Sequence, residues 1–219
     1  MKTKNLLLLS LSMLVLIPLS VSAQLFGSDK NSEVNTSPSF GIKAGGNLSN
    51  VYDTQGEEFQ ADSKLGVAAG VFVTLPLTKY IGLQPEILFS QKGYQGSGSV
   101  LGNDYSFART TNFIDVPLLL SIRTGEFLSI LVGPQYSYLL SQNYTFKSGI
   151  VDITQDEHFD NENLLKNTLA VTGGFDINLN KLVLSARAGW DLMNNEGDGT
   201  STTPRYKNMW YQATIGFRF

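Results

Sequence analysis

Apolar and polar residues alternate with a period of two along much of the chain, most clearly at the C-terminus. Apolar residues occupy every second position from Met209 to Phe219, and residues of the opposite set, such as Gln212 and Arg218, fall between them. Such alternation predicts a β-strand with one apolar face. About 9–11 residues of this kind are what a tilted strand needs to cross a bilayer. The C-terminus therefore predicts a membrane-crossing strand that ends in an aromatic residue.

Seven earlier segments show similar alternation, which makes eight predicted strands. They cover residues 40–48, 64–75, 80–92, 112–122, 128–140, 169–179, 182–192 and 209–219. Short connections at 76–79, 123–126 and 178–181 alternate with long ones at 49–63, 93–111, 141–166 and 193–207. This rhythm predicts an all-β fold, an eight-stranded antiparallel up-and-down transmembrane β-barrel with short periplasmic turns and long extracellular loops.

Alternation alone does not decide whether the apolar face points outward, as in a membrane barrel, or inward, as in a soluble lipocalin-type barrel. The polar face is rich in glycine, which relieves crowding inside a narrow barrel. Large aromatic residues lie towards the strand ends, where interfacial girdles form. The residues expected in these girdles are Tyr80, Tyr136, Tyr138, Trp190, Trp210 and Tyr211. Both features favour apolar residues facing lipid.

The N-terminus predicts export. Lys2 and Lys4 precede an apolar run that is too short to span a bilayer as a helix, and small residues around Ala23 provide a cleavage pattern. We therefore expect a signal peptide at 1–23, a flexible leader at 24–37, and an outer-membrane barrel domain at 38–219. The predicted location is the cell outer membrane, reached through cleavage of the signal peptide.

Composition narrows the possible partners. The chain has no cysteine, so no disulfide supports it in an oxidising compartment. Without residues 1–23 it has 14 basic and 19 acidic residues, a net charge of −5. An acidic chain argues against a nucleic-acid partner. No cofactor motif is present, and we expect neither a cofactor nor a metal.

Charged residues on the predicted inner face balance one another. The basic ones are Lys43, Lys92, Arg187 and Arg218, and the acidic ones are Glu86, Asp115, Asp176 and Asp191. An eight-stranded barrel is just wide enough for side chains to fill it, and a lone buried ion is costly. The sequence therefore predicts a structural network of ion pairs in the lumen, centred on Glu86, Arg187 and Asp115.

Three prolines do not fit this simple scheme. Pro85, Pro117 and Pro134 lie inside three successive predicted strands. Proline cannot donate to a ladder, and a closed barrel has no edge to accommodate it. We expect bulges or missing hydrogen bonds at these positions.

Several motifs resemble the PorT-type outer-membrane β-barrel family. They run from Gly41 to Ser49, from Gly82 to Gly93 and from Ile114 to Leu120, with a Gly133-Pro134-Gln135 triplet and the terminal Ile215–Phe219 stretch. The resemblance implies an eight-stranded outer-membrane barrel. The terminal strand, which ends in Phe219, also resembles the C-terminal strands of bacterial outer-membrane barrels, which the barrel-assembly machinery recognises. It implies little about activity, although the founding member is associated with protein secretion.

Candidate catalytic and metal-binding residues lie in the predicted loops. His158, the single histidine, is flanked by Asp156 and Asp160, which is one arrangement that a surface hydrolase could use. No spacing identifies a serine nucleophile. Carboxylates gather around Asp156 and around Glu57, but neither group has the spacing of a calcium-binding loop.

The sequence thus favours a non-enzymatic outer-membrane barrel with a side-chain-filled lumen, whose surface loops provide binding or assembly contacts. Its expected partners are outer-membrane lipids, the barrel-assembly machinery and an unidentified protein. A small-solute channel is the first alternative, and a surface hydrolase using the His158 loop is the second.

Overall fold

The computed structural model describes residues 37–52, 61–100, 103–148, 151–157, 166–194 and 206–219. The predicted signal peptide lies outside these residues, as does the predicted leader apart from Ser37. No helix in the described ranges is long and apolar enough to cross a membrane. The described chain is built from antiparallel strands joined by turns.

In the described part of the chain, nine strands form one closed sheet. They are β1 (Ser39–Tyr52), β2 (Asp62–Pro76), β3 (Ile81–Val100), β4 (Asn103–Arg123), β5 (Leu128–Ser148), β6 (Val151–Glu157), β7 (Asn167–Leu179), β8 (Leu182–Asp191) and β9 (Lys207–Arg218). Each neighbour in the order β4-β3-β2-β1-β9-β8-β7-β5 pairs with the next, and pairing of β4 with β5 closes the ring. Because β6 and β7 pair with successive parts of β5, they together occupy a single strand position in the ring. The ring has eight positions, which confirms the predicted barrel.

The strands on one side of the ring are much longer than predicted. The segments 93–111 and 141–166, predicted as loops, are largely strand, because β3 and β4 pair up to Val100 and Asn103. In the same way, β5 and β6 pair up to Ser148 and Val151. The alternation continues through these segments with small and hydroxyl-bearing residues, which the apolar pattern did not detect. Two long hairpins therefore stand side by side at the end of the barrel opposite the short turns.

Outward and inward positions differ sharply in chemistry within the barrel wall. Leu65, Ile87 and Ile215 expose 76%, 53% and 61% of their surface, whereas polar Asn47, Ser90 and Thr214 on the inward face are buried. The apolar face therefore points out. Trp210 contradicts the girdle prediction: its side chain points into the lumen and is 2% exposed, because its place in the alternation of β9 is an inward one.

The three strand prolines interrupt the ladders as predicted. Strand pairing is interrupted at three places: between β2 and β3 at Pro85, between β3 and β4 at Pro117, and between β4 and β5 at Pro134. The register is the same on both sides of each gap. The ladder therefore loses hydrogen bonds at the prolines without a bulge, since proline lacks an N–H but keeps an extended backbone.

A true register shift separates β2 from β3 nearer the hairpins, between Ser63 and Ala68. Opposite it, Gly93 has φ +154°, a conformation that side-chain-bearing residues rarely adopt. Side chains of β1 span the gap. The Ser49 hydroxyl accepts from the Gly93 N–H at 2.8 Å and donates to the Gly93 carbonyl at 2.9 Å. The lumen face of β1 thus replaces ladder bonds that β2 does not make.

Candidate functional site

The lumen near the short turns holds a four-residue ion cluster. Lys43 Nζ on β1 lies 2.5 Å from Glu86 Oε2 on β3, and Arg187 on β8 lies 2.7 Å from Asp176 Oδ1 on β7. Arg187 also approaches Glu86 Oε1 at 3.8 Å and so joins the two pairs. The Gln84 amide donates to Glu86 at 2.9 Å and to Asp176 at 3.1 Å. Two cations and two anions are therefore compensated without solvent.

A second ion cluster lies nearer the hairpins. Lys92 Nζ on β3 is 3.0 Å from Asp115 Oδ2 on β4, and both side chains are about 1% exposed. The same ammonium lies 3.7 Å from the ring centroid of Trp210 and 4.9 Å from that of Phe113. The ring faces add cation–π attraction in a site that is buried from solvent. Lys92 is thereby held by one carboxylate and two rings.

All eight predicted network residues lie on strands with side chains at lumen positions or at the barrel ends, but they do not share one centre. Asp115 belongs to the Lys92 cluster, so a single network around Glu86, Arg187 and Asp115 is wrong. Asp191 ends β8 and accepts from Asn208 N–H at 3.2 Å. Arg218 donates to Asn178 Oδ1 at 2.8 Å near the short turns. Register around the ring, which alternation does not reveal, decides these partners.

An amide and hydroxyl layer separates the two clusters. Gln212 Nε2 donates to Asn47 Oδ1 at 2.9 Å, and Asn47 Nδ2 donates to Ser90 Oγ at 2.8 Å. All three side chains are buried. The layer crosses the lumen from β9 through β1 to β3, so polar groups at this height satisfy one another.

Sequence reasoning missed a repeated pairing of aromatic residues with glycines. Phe72 faces Gly41 on the neighbouring strand, and Trp210 faces Gly189. A Cβ added to Gly41 would lie 2.5 Å from the Phe72 ring, and one added to Gly189 would collide with the Trp210 ring. The rings therefore lie across glycines, an arrangement known to stabilise sheets. Glycines at alternate lumen positions were a visible signal, but their partners follow only from register.

Aromatic residues close the lumen at the hairpin end. Val51, Tyr94 and Tyr206 form a buried apolar cluster, against which Ala61 and Phe107 pack. The Tyr94 and Tyr206 rings meet edge-on with centroids 5.6 Å apart. Below this cluster lie the Lys92 cluster, the amide layer and the ion cluster near the short turns, so buried side chains of the described residues occupy the lumen at each of these levels.

The two long hairpins form a projection that we call the hairpin wall, comprising residues 94–100, 103–111, 142–148 and 151–157. In residues 94–99, 104–111 and 142–148, whose side chains are described, its polarity is the reverse of the barrel's. Tyr105, Phe107 and Phe146 take inward positions, whereas Ser97, Ser106 and Lys147 face outward and are exposed. The change occurs at an outward row in which Gln91 donates to Asn112 at 3.1 Å and Asn112 donates to Ser141 at 2.9 Å. Among the described side chains of these strands, the exposed large apolar residues lie on the barrel side of that row.

The described part of the chain does not include the whole candidate catalytic group, His158 with Asp156 or Asp160. His158 and Asp160 lie outside the described residues, and Asp156 belongs to β6. Of the carboxylate groups considered for calcium, Glu57 and its neighbours Asp53 and Glu58 also lie outside them. Within the described ranges, no group of three or more His, Cys, Asp or Glu residues could hold a metal ion.

Comparison with known proteins identifies the family. Residues 23–196 match the family model described as outer membrane protein beta-barrel domain. The chain belongs to this family. The protein is therefore an integral outer-membrane β-barrel, and its outward apolar band faces lipid. By the usual orientation of such barrels, the short turns are periplasmic and the hairpin wall is extracellular.

Several solved structures are similar in fold. The attachment invasion locus protein Ail of Yersinia pestis is 18% identical, with 84% of this chain and 99% of that chain covered and a TM-score of 0.48. Neisserial surface protein A is 12% identical, with 84% and 99% covered and a TM-score of 0.49. OprG from Pseudomonas aeruginosa is 15% identical, with 84% and 97% covered and a TM-score of 0.42. No curated protein sequence matches the chain.

Proposed function

We propose that this barrel conducts no solutes and catalyses no reaction, and that its extracellular hairpins make binding or assembly contacts. The burial of lumen charge supports this most directly. Seven charged side chains in the lumen expose 6% or less of their surface: Lys43, Glu86, Lys92, Asp115, Asp176, Arg187 and Asp191. Ions cross a pore through water, and these side chains occupy the space that water would need.

Single-channel recording in planar bilayers tests the sealed lumen. Purified protein at high salt should give no conductance steps, because an ion-paired lumen closed by Tyr94 and Tyr206 has no aqueous path. Reproducible steps from protein with heat-modifiable gel mobility would establish the small-solute channel instead.

The enzymatic alternative depends on His158. Lipase and protease assays on wild type and His158→Ala should give equal, background activity. Activity that is lost in His158→Ala would establish a surface hydrolase and refute the non-enzymatic assignment.

We also propose that the chain falls with the PorT-type barrels within its family. The motif from Gly82 to Gly93 supports this, since it contains Pro85, Glu86 and Lys92, which the structure places at a ladder gap and in both ion clusters. Partners remain to be found by crosslinking on intact cells. Recovery of a specific protein through the hairpin wall would support an assembly role, and labelling confined to lipid would argue against one.

A further inference from the structure

Two arginines at the periplasmic end of the lumen belong to neither ion cluster. Arg123 ends β4 and Arg218 ends β9, and each continues the inward set of its strand. None of the four ion pairs among the described residues includes either arginine. The four-residue ion cluster beside them is neutral by itself. The inward described side chains at this end of the lumen therefore carry an excess of two positive charges.

Polar side chains connect the two arginines around the mouth of the barrel. Arg218 Nη2 donates to Asn178 Oδ1 at 2.8 Å, and Asn178 Nδ2 donates to Ser129 Oγ at 3.1 Å. Ser129 on β5 is in turn the register partner of Arg123 on β4. Arg123 is also close enough for its charge to oppose that of Arg218. Both guanidinium groups therefore belong to one site at the periplasmic mouth.

Most donors of this pair have no acceptor. A guanidinium carries five N–H donors in a planar fork. Arg218 uses one of them on Asn178, and its Nε is buried without a hydrogen-bond partner. In the described part of the chain, the Arg123 side chain makes no hydrogen bond or ion pair. Asp176, the carboxylate that attracts Arg218, already lies 2.7 Å from Arg187. The two arginines thus have donor capacity and charge for a further anion.

The shape and charge of the pair favour phosphate. Guanidinium forks bind phosphate oxygens in a bidentate manner, and a phosphate has enough oxygens to accept from two forks. A phosphate monoester carries about −1.5 to −2 charges at pH 7, which matches two arginines, whereas a carboxylate carries one. Arg123 and Arg218 are both partly exposed, so a ligand from the periplasmic side reaches them. The ion cluster behind them stops it from going deeper.

We propose that Arg123 and Arg218 bind a phosphate group at the periplasmic mouth of the barrel. The proposal goes beyond the proposed function, which concerns the sealed lumen and the extracellular hairpins. Two sources offer this chemistry at that height: the head group of a phospholipid in the inner leaflet, and a soluble phosphate in the periplasm. In either case the anion offsets the repulsion between the two guanidinium groups and links β4 to β9.

The test uses the full-length barrel, labelled with ¹⁵N-arginine, in a non-ionic detergent. It is titrated with inorganic phosphate at constant ionic strength, and NMR follows the arginine Nε resonances. Those of Arg123 and Arg218 should shift and saturate, whereas that of buried Arg187 should not. Arg123→Gln and Arg218→Gln should each weaken binding by about tenfold or more, because each removes a charge-assisted fork.

Lys181→Gln is the matched control. It removes one positive charge at the same end of the barrel, but the Lys181 ammonium lies on the outward side, 5.9 Å from the ring centroid of Phe217. This variant should bind phosphate as wild type does. Heat-modifiable mobility reports that each variant is folded.

A lipid titration separates the two sources. The barrel is placed in phosphatidylcholine nanodiscs with and without phosphatidic acid. Shifts of the same two resonances with phosphatidic acid, poorly reversed by inorganic phosphate, would assign the site to lipid. Shifts with inorganic phosphate alone would assign it to a soluble phosphate, and either result supports the proposal. No saturable shift with either probe, an equal response to sodium acetate, or equal affinity of both arginine variants and wild type would overturn it.

Discussion

Two lysines in the lumen are held by the same local construction. Lys43 lies 5.5 Å from the Phe72 ring centroid, and Lys92 lies 3.7 Å from that of Trp210. Each ring lies across a glycine of the adjacent strand. The missing Cβ makes room for the ring, the ring shields the ammonium, and a carboxylate neutralises it. Glycine, aromatic residue, lysine and acid therefore act together as one unit.

Removing Arg187 should be strongly destabilising. Arg187→Met leaves Asp176 and Glu86 buried with one cation fewer, and breaking a buried ion pair costs about 3–5 kcal/mol. The free energy of unfolding, measured by urea titration in detergent, should fall by that amount. Lys181→Met, at an exposed turn position, is the matched control and should change stability little. Equal stability of Arg187→Met and wild type would show that the cluster is not dry.

Adding a side chain at Gly189 should also destabilise the barrel. Gly189→Ala places a methyl group where the Trp210 ring lies, so the ring must move away from Lys92. We expect a loss of about 1–3 kcal/mol, as for other overpacked sites. A shift in tryptophan emission should accompany it. Gly46→Ala is the control, because its nearest neighbour would be 3.5 Å away, at ordinary contact distance. An unchanged spectrum and unfolding midpoint for Gly189→Ala would contradict the ring placement.

At the level of the strand, the three prolines remove ladder bonds without shifting register. The gaps at Pro85, Pro117 and Pro134 fall between neighbouring pairs of strands, from β2 to β5. Each missing bond lies in a wall whose outer face contacts lipid, where water cannot replace it. The closed ring tolerates this because every strand still pairs on both sides of each gap.

Restoring a donor at Pro85 should therefore stabilise the barrel. Since the register is already in place, Pro85→Val can complete the β2–β3 ladder, and one hydrogen bond contributes about 0.5–1.5 kcal/mol. Pro38→Val, which precedes β1, completes no ladder and should be neutral. Both are compared by urea titration. Unchanged or lower stability of Pro85→Val would show that the gap has a cause other than the missing N–H.

On the scale of the whole molecule, strand pairing closes the ring and inward side chains fill its lumen, and these are separate features. The terminal strand β9 joins the two ends of the chain by pairing with β1. The Phe219 N–H donates to Phe40 O at 2.9 Å, and their rings are stacked 5.0 Å apart. The inward side chains then form three layers: the four-residue ion cluster near the short turns, the amide and hydroxyl layer, and the Lys92 cluster. The aromatic cluster at Tyr94 and Tyr206 lies above all three.

Because these layers are independent, opening the top should not create a pore. A double variant, Tyr94→Ala with Tyr206→Ala, removes the aromatic closure but leaves the Lys43–Glu86 and Lys92–Asp115 pairs intact. Planar-bilayer recording should still show no conductance. Channels in this variant, with none in wild type, would mean that the aromatic cluster alone keeps the lumen closed.

Local pattern was sufficient for the strands and for sorting their side chains onto two faces. Alternation has a period of two, so each strand shows which of its residues share a face. Glycines on the polar face and aromatic residues at the strand ends then favoured Leu65 outward and Asp115 inward, and the structure confirms both positions. The prolines likewise predicted their ladder gaps, since the missing N–H is a property of the residue. The same signal failed at 93–111, where strand continues through polar residues.

What the amino-acid sequence determined by itself was thus the closed eight-position ring, its apolar outer face and the charged character of its interior. Only tertiary structure decided that Lys43 pairs with Glu86 while Asp115 pairs with Lys92. It likewise decided that Trp210 covers Gly189 inside the lumen and that Ser97, Ser106 and Lys147 of the hairpin wall face outward. Those contacts join residues from different strands through register and closure, and a repeat of two residues carries no information about which strand lies across the barrel.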